Sequence, residues 1–287
     1  MKGKLDMSAK TDTVHQPSKS GPPLFLALWS IRHLMRREPI ETLELIQEEW
    51  GIDTVEVATY LDWRATEFSR QLERHGLKVC SLAGPSLSAE RDSKYYVEWA
   101  KKYLVVFKTS TLVLQCPRTD THECSDNNMP RNTDEDIGPL LIKVAQDLDQ
   151  YDKRLSYHCY PQDFASVGEQ SFVSRLFART DVPNNLGLQL DTFWLNHGQT
   201  NPDAYARLRV HSVHLNERDE EGRCCLLGTD EEKCAKYIRP LMKRKQPIDW
   251  ILENDSSDEK AQNNDKQMTD TIEKCIRQWP VFWRSHM

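Results

Sequence analysis

The sequence predicts a single (β/α)8 barrel, and three observations lead there. Eight short apolar runs are spread along the chain, the stretches between them carry apolar residues three and four apart, and the length of 287 residues suits one closed barrel. Strands alternating with helices imply parallel crossover units. Eight such units close a barrel, whereas an open doubly wound sheet more usually has about five or six strands. No Gly-x-Gly-x-x-Gly follows the first run, so the signature of a dinucleotide-binding sheet is missing.

The barrel is expected over residues 23–287, preceded by a flexible tail over residues 1–22. That tail is rich in Lys, Ser, Thr, Gly and Pro and ends in Gly21-Pro22-Pro23. Too few apolar side chains are present there to offset the entropy of ordering it. The predicted strands are Leu24 to Trp29, Thr54 to Ala58, Leu77 to Leu82, Thr111 to Cys116, Leu155 to Cys159, Leu186 to Leu190, Val210 to Leu215 and Ile248 to Leu252. Ile40, Leu43, Leu45 and Ile46 before Trp50, and Leu140, Leu141, Val144 and Leu148, have the spacing of helices packed on a sheet. Two polar stretches, Arg118 to Asp136 after the fourth strand and Asp255 to Asp265 after the eighth, fall on the functional face of such a barrel. The second reads as a lid or as a solvated acidic loop.

Composition narrows the function classes. Hydrophobic residues make up 38% and charged residues 29%, as in a globular chain. Lys and Arg number 38 against 44 Asp and Glu, a net charge of −6 without a long basic block, so no nucleic acid is expected as partner. No apolar run approaches the roughly 20 residues that span a bilayer, so no membrane is expected. The polar start, Met1 to Gly21, lacks the core of an export signal, and a cytoplasmic location is expected. The eight cysteines are then expected as reduced thiols. Cys224 and Cys225 are adjacent, Cys116 and Cys124 have no second close pair, and no Cys-x-x-Cys spacing offers a structural zinc site. A small-molecule substrate is the expected partner, with a homodimer open as the assembly.

In a barrel, chemistry sits where strands end. Strand five ends in Tyr157-His158-Cys159-Tyr160, strand six in Leu190-Asp191, strand seven carries Val213-His214-Leu215, and strand eight ends in Leu252-Glu253. Two imidazoles and two carboxylates can converge from there. Mixed sets of this kind suit one divalent Mn, Co, Zn or Fe ion rather than Ca. Taken singly, each residue has a plainer reading: a strand-end Asp often caps the following helix, and a buried His is usually just hydrogen-bonded.

Leu186-Gly187-Leu188-Gln189-Leu190-Asp191-Thr192-Phe193-Trp194, then Val213-His214-Leu215-Asn216-Glu217-Arg218, then Trp250-Ile251-Leu252-Glu253, resemble the xylose isomerase-like barrel superfamily. That group includes ketose 3-epimerases, inosose isomerases and dehydratases, and AP endonucleases. The resemblance covers Leu24 to about Trp283 and implies that Asp191, His214 and Glu253 are metal ligands. At strand five the sugar enzymes have a Glu that binds metal and moves a proton, whereas this chain has His158. Some branches read Tyr-His-Asn-His there, and Tyr157-His158-Cys159-Tyr160 is similar to a worn version of it. His158 is accordingly taken as a fourth ligand and, with Glu253, as a catalytic acid or base. Trp194 stands where the epimerases have a substrate-contacting His. Glu217 follows His214 by three residues, as in the epimerases, and either contacts substrate, orients the imidazole or is a surface acid. Glu56 in strand two lines the cavity or neutralises a basic neighbour. Trp194, Glu217, Glu56 and Arg218 are grouped as substrate-binding. His211, three residues before His214, is placed by strand alternation on the opposite face and read as structural.

The function implied is a metal-dependent isomerase or epimerase that abstracts a proton beside an oxygen held by the ion, on a small polyhydroxylated or carbonyl substrate. A lyase or dehydratase shares the first step and then expels a β-hydroxyl. A barrel that has lost catalysis and binds only is the third reading, raised by His158 and Trp194. A nuclease would need a basic groove, and the acidic chain offers none.

Overall fold

A computed structural model describes residues 21–58, 63–88, 90–116, 134–167, 170–218, 231–254 and 265–286. Eight parallel strands close a barrel in sequence order: β1 (Leu24–Ala27), β2 (Thr54–Val57), β3 (Lys78–Ala83), β4 (Thr111–Leu114), β5 (Arg154–His158), β6 (Leu186–Asp191), β7 (Val210–Leu215) and β8 (Asp249–Leu252), the last pairing back onto β1. Each falls on one of the eight apolar runs. The strands are short and buried on both faces, the pattern of a parallel sheet wrapped by helices. Leu26, Leu82, Leu112, Leu188 and Val213 are fully buried in the core they share with the helices.

Two of the strand pairings break register. Between β2 and β3, Val55 pairs with Val79 but Glu56 pairs with Ser81, so Cys80 is an extra residue. Between β6 and β7, Leu188 pairs with Val210 but Gln189 pairs with Ser212, which makes His211 extra, and Asp191 pairs with His214. A bulge of this kind turns the residues beyond it to the other face of the strand. His211 therefore does not sit on the face that simple alternation gives it. Its Nδ1 lies 3.0 Å from Ser156 Oγ, and its ring covers Gly187, where a Cβ would come within 2.6 Å of Nε2. Ser156 and Gly187 share faces with His158 and Gln189, so His211 packs on the site's side of the strands, where it bonds Ser156 and covers Gly187.

The expected tail over residues 1–22 falls mostly outside the described residues. Gly21 and Pro22 already belong to the packed body, because Trp279 Nε1 donates to the Pro22 carbonyl at 2.9 Å from the final helix, Asp265–His286. Residues 1–20, most of the Arg118 to Asp136 stretch and nearly all of Asp255 to Asp265 lie outside the described residues, although Asp134 already begins the helix Asp134–Asp149. Among the described residues no helix is long and apolar enough to cross a membrane. Cys80, Cys116, Cys159, Cys234 and Cys275 form no disulfide among the described residues.

Candidate active site

The C-terminal ends of β5 to β8 bring His158, Asp191, His214 and Glu253 together. His158, Asp191 and His214 each offer a ligand atom, all within 4.8 Å of one another. His214 Nδ1 lies 3.9 Å from Asp191 Oδ2 and in ion-pair contact with Glu253 Oε2. Nδ1 is buried and has no other hydrogen-bond partner among the described residues. The pairing of Asp191 with His214 follows from the bulge in β7: in unbroken register Val213 would stand beside Asp191 instead.

Local structure fixes each group. Asp191 ends β6 and caps the helix Thr192–His197: its Oδ1 accepts from the backbone N–H of Phe193 at 2.8 Å and of Trp194 at 3.3 Å. That leaves Oδ2 facing His214, with Asn216 Nδ2 at 3.4 Å. Thr192 Oγ1 donates to the Asn216 carbonyl and accepts from its N–H, tying the ends of β6 and β7 together. After β5, Asp163 accepts from the Tyr157 hydroxyl at 3.0 Å and the Tyr160 N–H at 2.7 Å, which holds the turn on either side of His158.

Beneath the four lies a polar group centred on Glu56. Expected either to line the cavity and meet substrate or to neutralise a basic neighbour, Glu56 is 3% exposed and spends its carboxylate on protein partners, His214 among them. Its Oε1 accepts from His214 Nε2 at 2.7 Å, and its Oε2 accepts from Ser81 Oγ and Gln189 Nε2, each at 2.6 Å. Gln189 Oε1 in turn faces His158 Nδ1 at 2.9 Å. Glu217 is also turned inward, its Oε1 accepting from the Cys234 N–H at 3.2 Å near the start of the helix Glu231–Met242. Trp194 packs edge-on to Tyr160, 5.5 Å away, and Tyr160 to His158, 5.1 Å away, forming an aromatic wall beside the imidazoles. The Arg218 guanidinium covers the Phe193 ring at 3.8 Å. Sequence reading missed Ser81, Gln189 and Tyr160. Gln189 had a signal, a polar residue two before Asp191 in an otherwise apolar strand.

The electrostatics match a cation site. Burial alone would push His214 down, but the charges of Glu253 and Glu56 override it and hold the imidazole well above its usual range. Burial would push Glu253 up, yet the His214 charge takes it down to about 2, so it is ionised at neutral pH. Burial, then the neighbouring Glu253, raises Asp191 to about 7. Burial, then the His214 charge, lowers His158 to about 4, so it is neutral. The imidazolium of His214 is the main counter-charge for Glu56 and Glu253, and the Arg218 guanidinium adds to it for Asp191 and Glu253. Nδ1 of His214 is aimed at Asp191 and Glu253, and a divalent ion fits the donor set of His158, Asp191 and His214 with Glu253 beside it. Glu253 has the most solvent access among these carboxylates, with side-chain exposure of 11% against 4% for Glu56 and 2% for Asp191.

No family model matches the chain, and no curated protein matches it in sequence. Solved structures do match. A sugar phosphate isomerase/epimerase from Parabacteroides distasonis ATCC 8503 superposes with a TM-score of 0.68 at 14% identity, covering 94% of this chain and 97% of that one. An IolI protein with a bound zinc atom gives 0.66 at 12% identity, covering 93% and 99%. An L-ribulose 3-epimerase gives 0.65 at 15% identity, covering 92% and 95%. The fold is that of the xylose isomerase-like barrels.

Proposed function

We propose that the chain is a divalent-metal-dependent isomerase or epimerase of small polyhydroxylated carbonyl compounds. The observation that carries this reading is the buried group of His158, Asp191 and His214, with Glu253 in contact with the same imidazole and His214 Nδ1 turned to both carboxylates. The zinc in the IolI barrel and the reactions named for the other similar barrels support it.

A divalent ion held by these four residues would fix a substrate oxygen and stabilise negative charge developing on it. The remaining work falls to the chain. Glu253 is ionised and is the most open carboxylate, so it takes the proton from the carbon next to that oxygen. Asp191, held by two backbone N–H groups, keeps its position while charge moves. His158 is neutral and buried, so it contributes a lone pair rather than a second carboxylate base. The Tyr160 and Trp194 rings offer an apolar wall for the C–H face of a sugar-like substrate.

The test is exchange of a carbon-bound proton. Zinc- or manganese-loaded protein is incubated in D2O with L-ribulose, D-psicose and D-fructose, and deuterium incorporation is followed by NMR. Wild type should incorporate deuterium at a carbon next to the carbonyl. In metal-loaded Glu253→Gln the exchange should fall by at least about 100-fold, the lower range for a positioned proton-transfer group. Equal exchange in both proteins would exclude Glu253 as the base. Loss of a hydroxyl in place of epimerisation would assign the chain to the lyases.

A further inference from the structure

The proposed chemistry leaves Glu56 without a task, yet its carboxylate holds three side-chain partners. Ionised, it can only accept hydrogen bonds, and its three partners are His214 Nε2, Gln189 Nε2 and Ser81 Oγ. This fixes the protons on everything around it. His214 must carry hydrogen on Nε2, which leaves Nδ1 for the centre of the cluster. Gln189 must present its amide nitrogen to Glu56 and its oxygen to His158, so His158 must carry hydrogen on Nδ1 and keep its lone pair on Nε2.

The backbone is bent to serve the same arrangement. The bulge at Cys80 puts Ser81 beside Glu56, where the regular register would put the cysteine. The bulge at His211 turns His214 to the same side as Gln189 and Asp191. Both register breaks recorded in the barrel therefore aim a donor at Glu56, and bulges that re-aim side chains are a recurrent device next to active sites.

We propose that Glu56 is a positioning residue that sets the tautomers of both imidazoles, His214 directly and His158 through the Gln189 amide, so that each turns a lone pair to a metal ion. The ion belongs to the function proposed above, but the tautomer of His158 does not depend on it. In this arrangement Gln189 is the adapter that lets an imidazole serve at the end of β5.

The test uses full-length protein with 15N-labelled histidine. In metal-free wild type, NMR should show His158 as the Nδ1–H tautomer, and zinc should bring His214 to the Nε2–H tautomer. Gln189→Leu should release His158 to a mixture of tautomers while zinc-bound His214 stays Nε2–H. Glu56→Gln should disturb both rings and weaken zinc binding by about 10- to 100-fold, the usual cost of removing a partner of a metal-bound histidine. Ser81→Ala keeps the carboxylate and should leave both tautomers unchanged. If Glu56→Gln does not fold, Gln189→Leu alone carries the test. An unchanged His158 tautomer in Gln189→Leu would overturn the proposal, as would zinc affinity in Glu56→Gln within about twofold of wild type. Wild type that binds no zinc, but shows the His158 tautomer and loses it in Gln189→Leu, would overturn the metal reading and leave the positioning role of Glu56 standing.

Discussion

Asp191 shows how two readings of one residue can both hold. A strand-end aspartate is commonly a helix cap, and Oδ1 is one, while Oδ2 faces the imidazole of His214. The capping bonds lock the side chain in the rotamer the site requires. His211 illustrates the opposite case, a histidine beside the site with a structural role. Burial, then the positive charges of Arg154 and Arg209, brings it down to about 4 from an ordinary 6.5. The folded state therefore takes up its proton later than the unfolded chain as pH falls. Stability from this residue is full above pH 6.5, declines between 6.5 and 4, and is constant below, a loss of about 3 kcal/mol at most. Urea unfolding of wild type and His211→Gln at pH 7 and pH 5 checks this. The variant should lose less stability over that interval, and equal losses would show that His211 is not the source.

At the scale of elements, the strands were legible and their irregularities were not. Apolar runs locate all eight strands to within about two residues, because burial on both faces leaves a run of Leu, Val and Ile that loops do not imitate. Asp191, His214 and Glu253 were legible through motif and position. Glu56 was legible as a residue that lines the cavity or neutralises a basic neighbour, and it pairs with His214; the placement of His211 was not, because alternation counts residues and a bulge changes the count without a mark in the side chains. Gly187 is the exception that a reader could have noticed, a residue without a side chain in the middle of a buried strand. It exists to make room for the His211 ring. Gly187→Ala should cost about 1–3 kcal/mol through this clash. Adding His211→Ala should recover part of that loss, and strictly additive losses in urea titrations would show that the two residues do not press on each other.

At the scale of the molecule, closure depends on the two ends of the chain. The final helix lays Trp279 and Trp283 against Trp250 of β8, with ring centroids 5.8 and 5.2 Å from it, and the indole of Trp279 holds Pro22 just before β1. The seam between first and last strands is thus sealed from outside. Trp279→Ala should cost about 3–5 kcal/mol and lower the melting temperature visibly by calorimetry; an unchanged transition would mean that the seam needs no cover. Inside, Glu56 on β2 reaches Gln189 on β6, the strand diametrically across the barrel, and His214 on the next one. The polar centre is in this respect a spoke as well as a site. Functional groups are commonly kept at the expense of stability, but here the opposite walls of the wheel are tied through the same atoms that aim the imidazoles. A chain that discarded its chemistry would still have a mechanical reason to keep Glu56, Gln189 and His214.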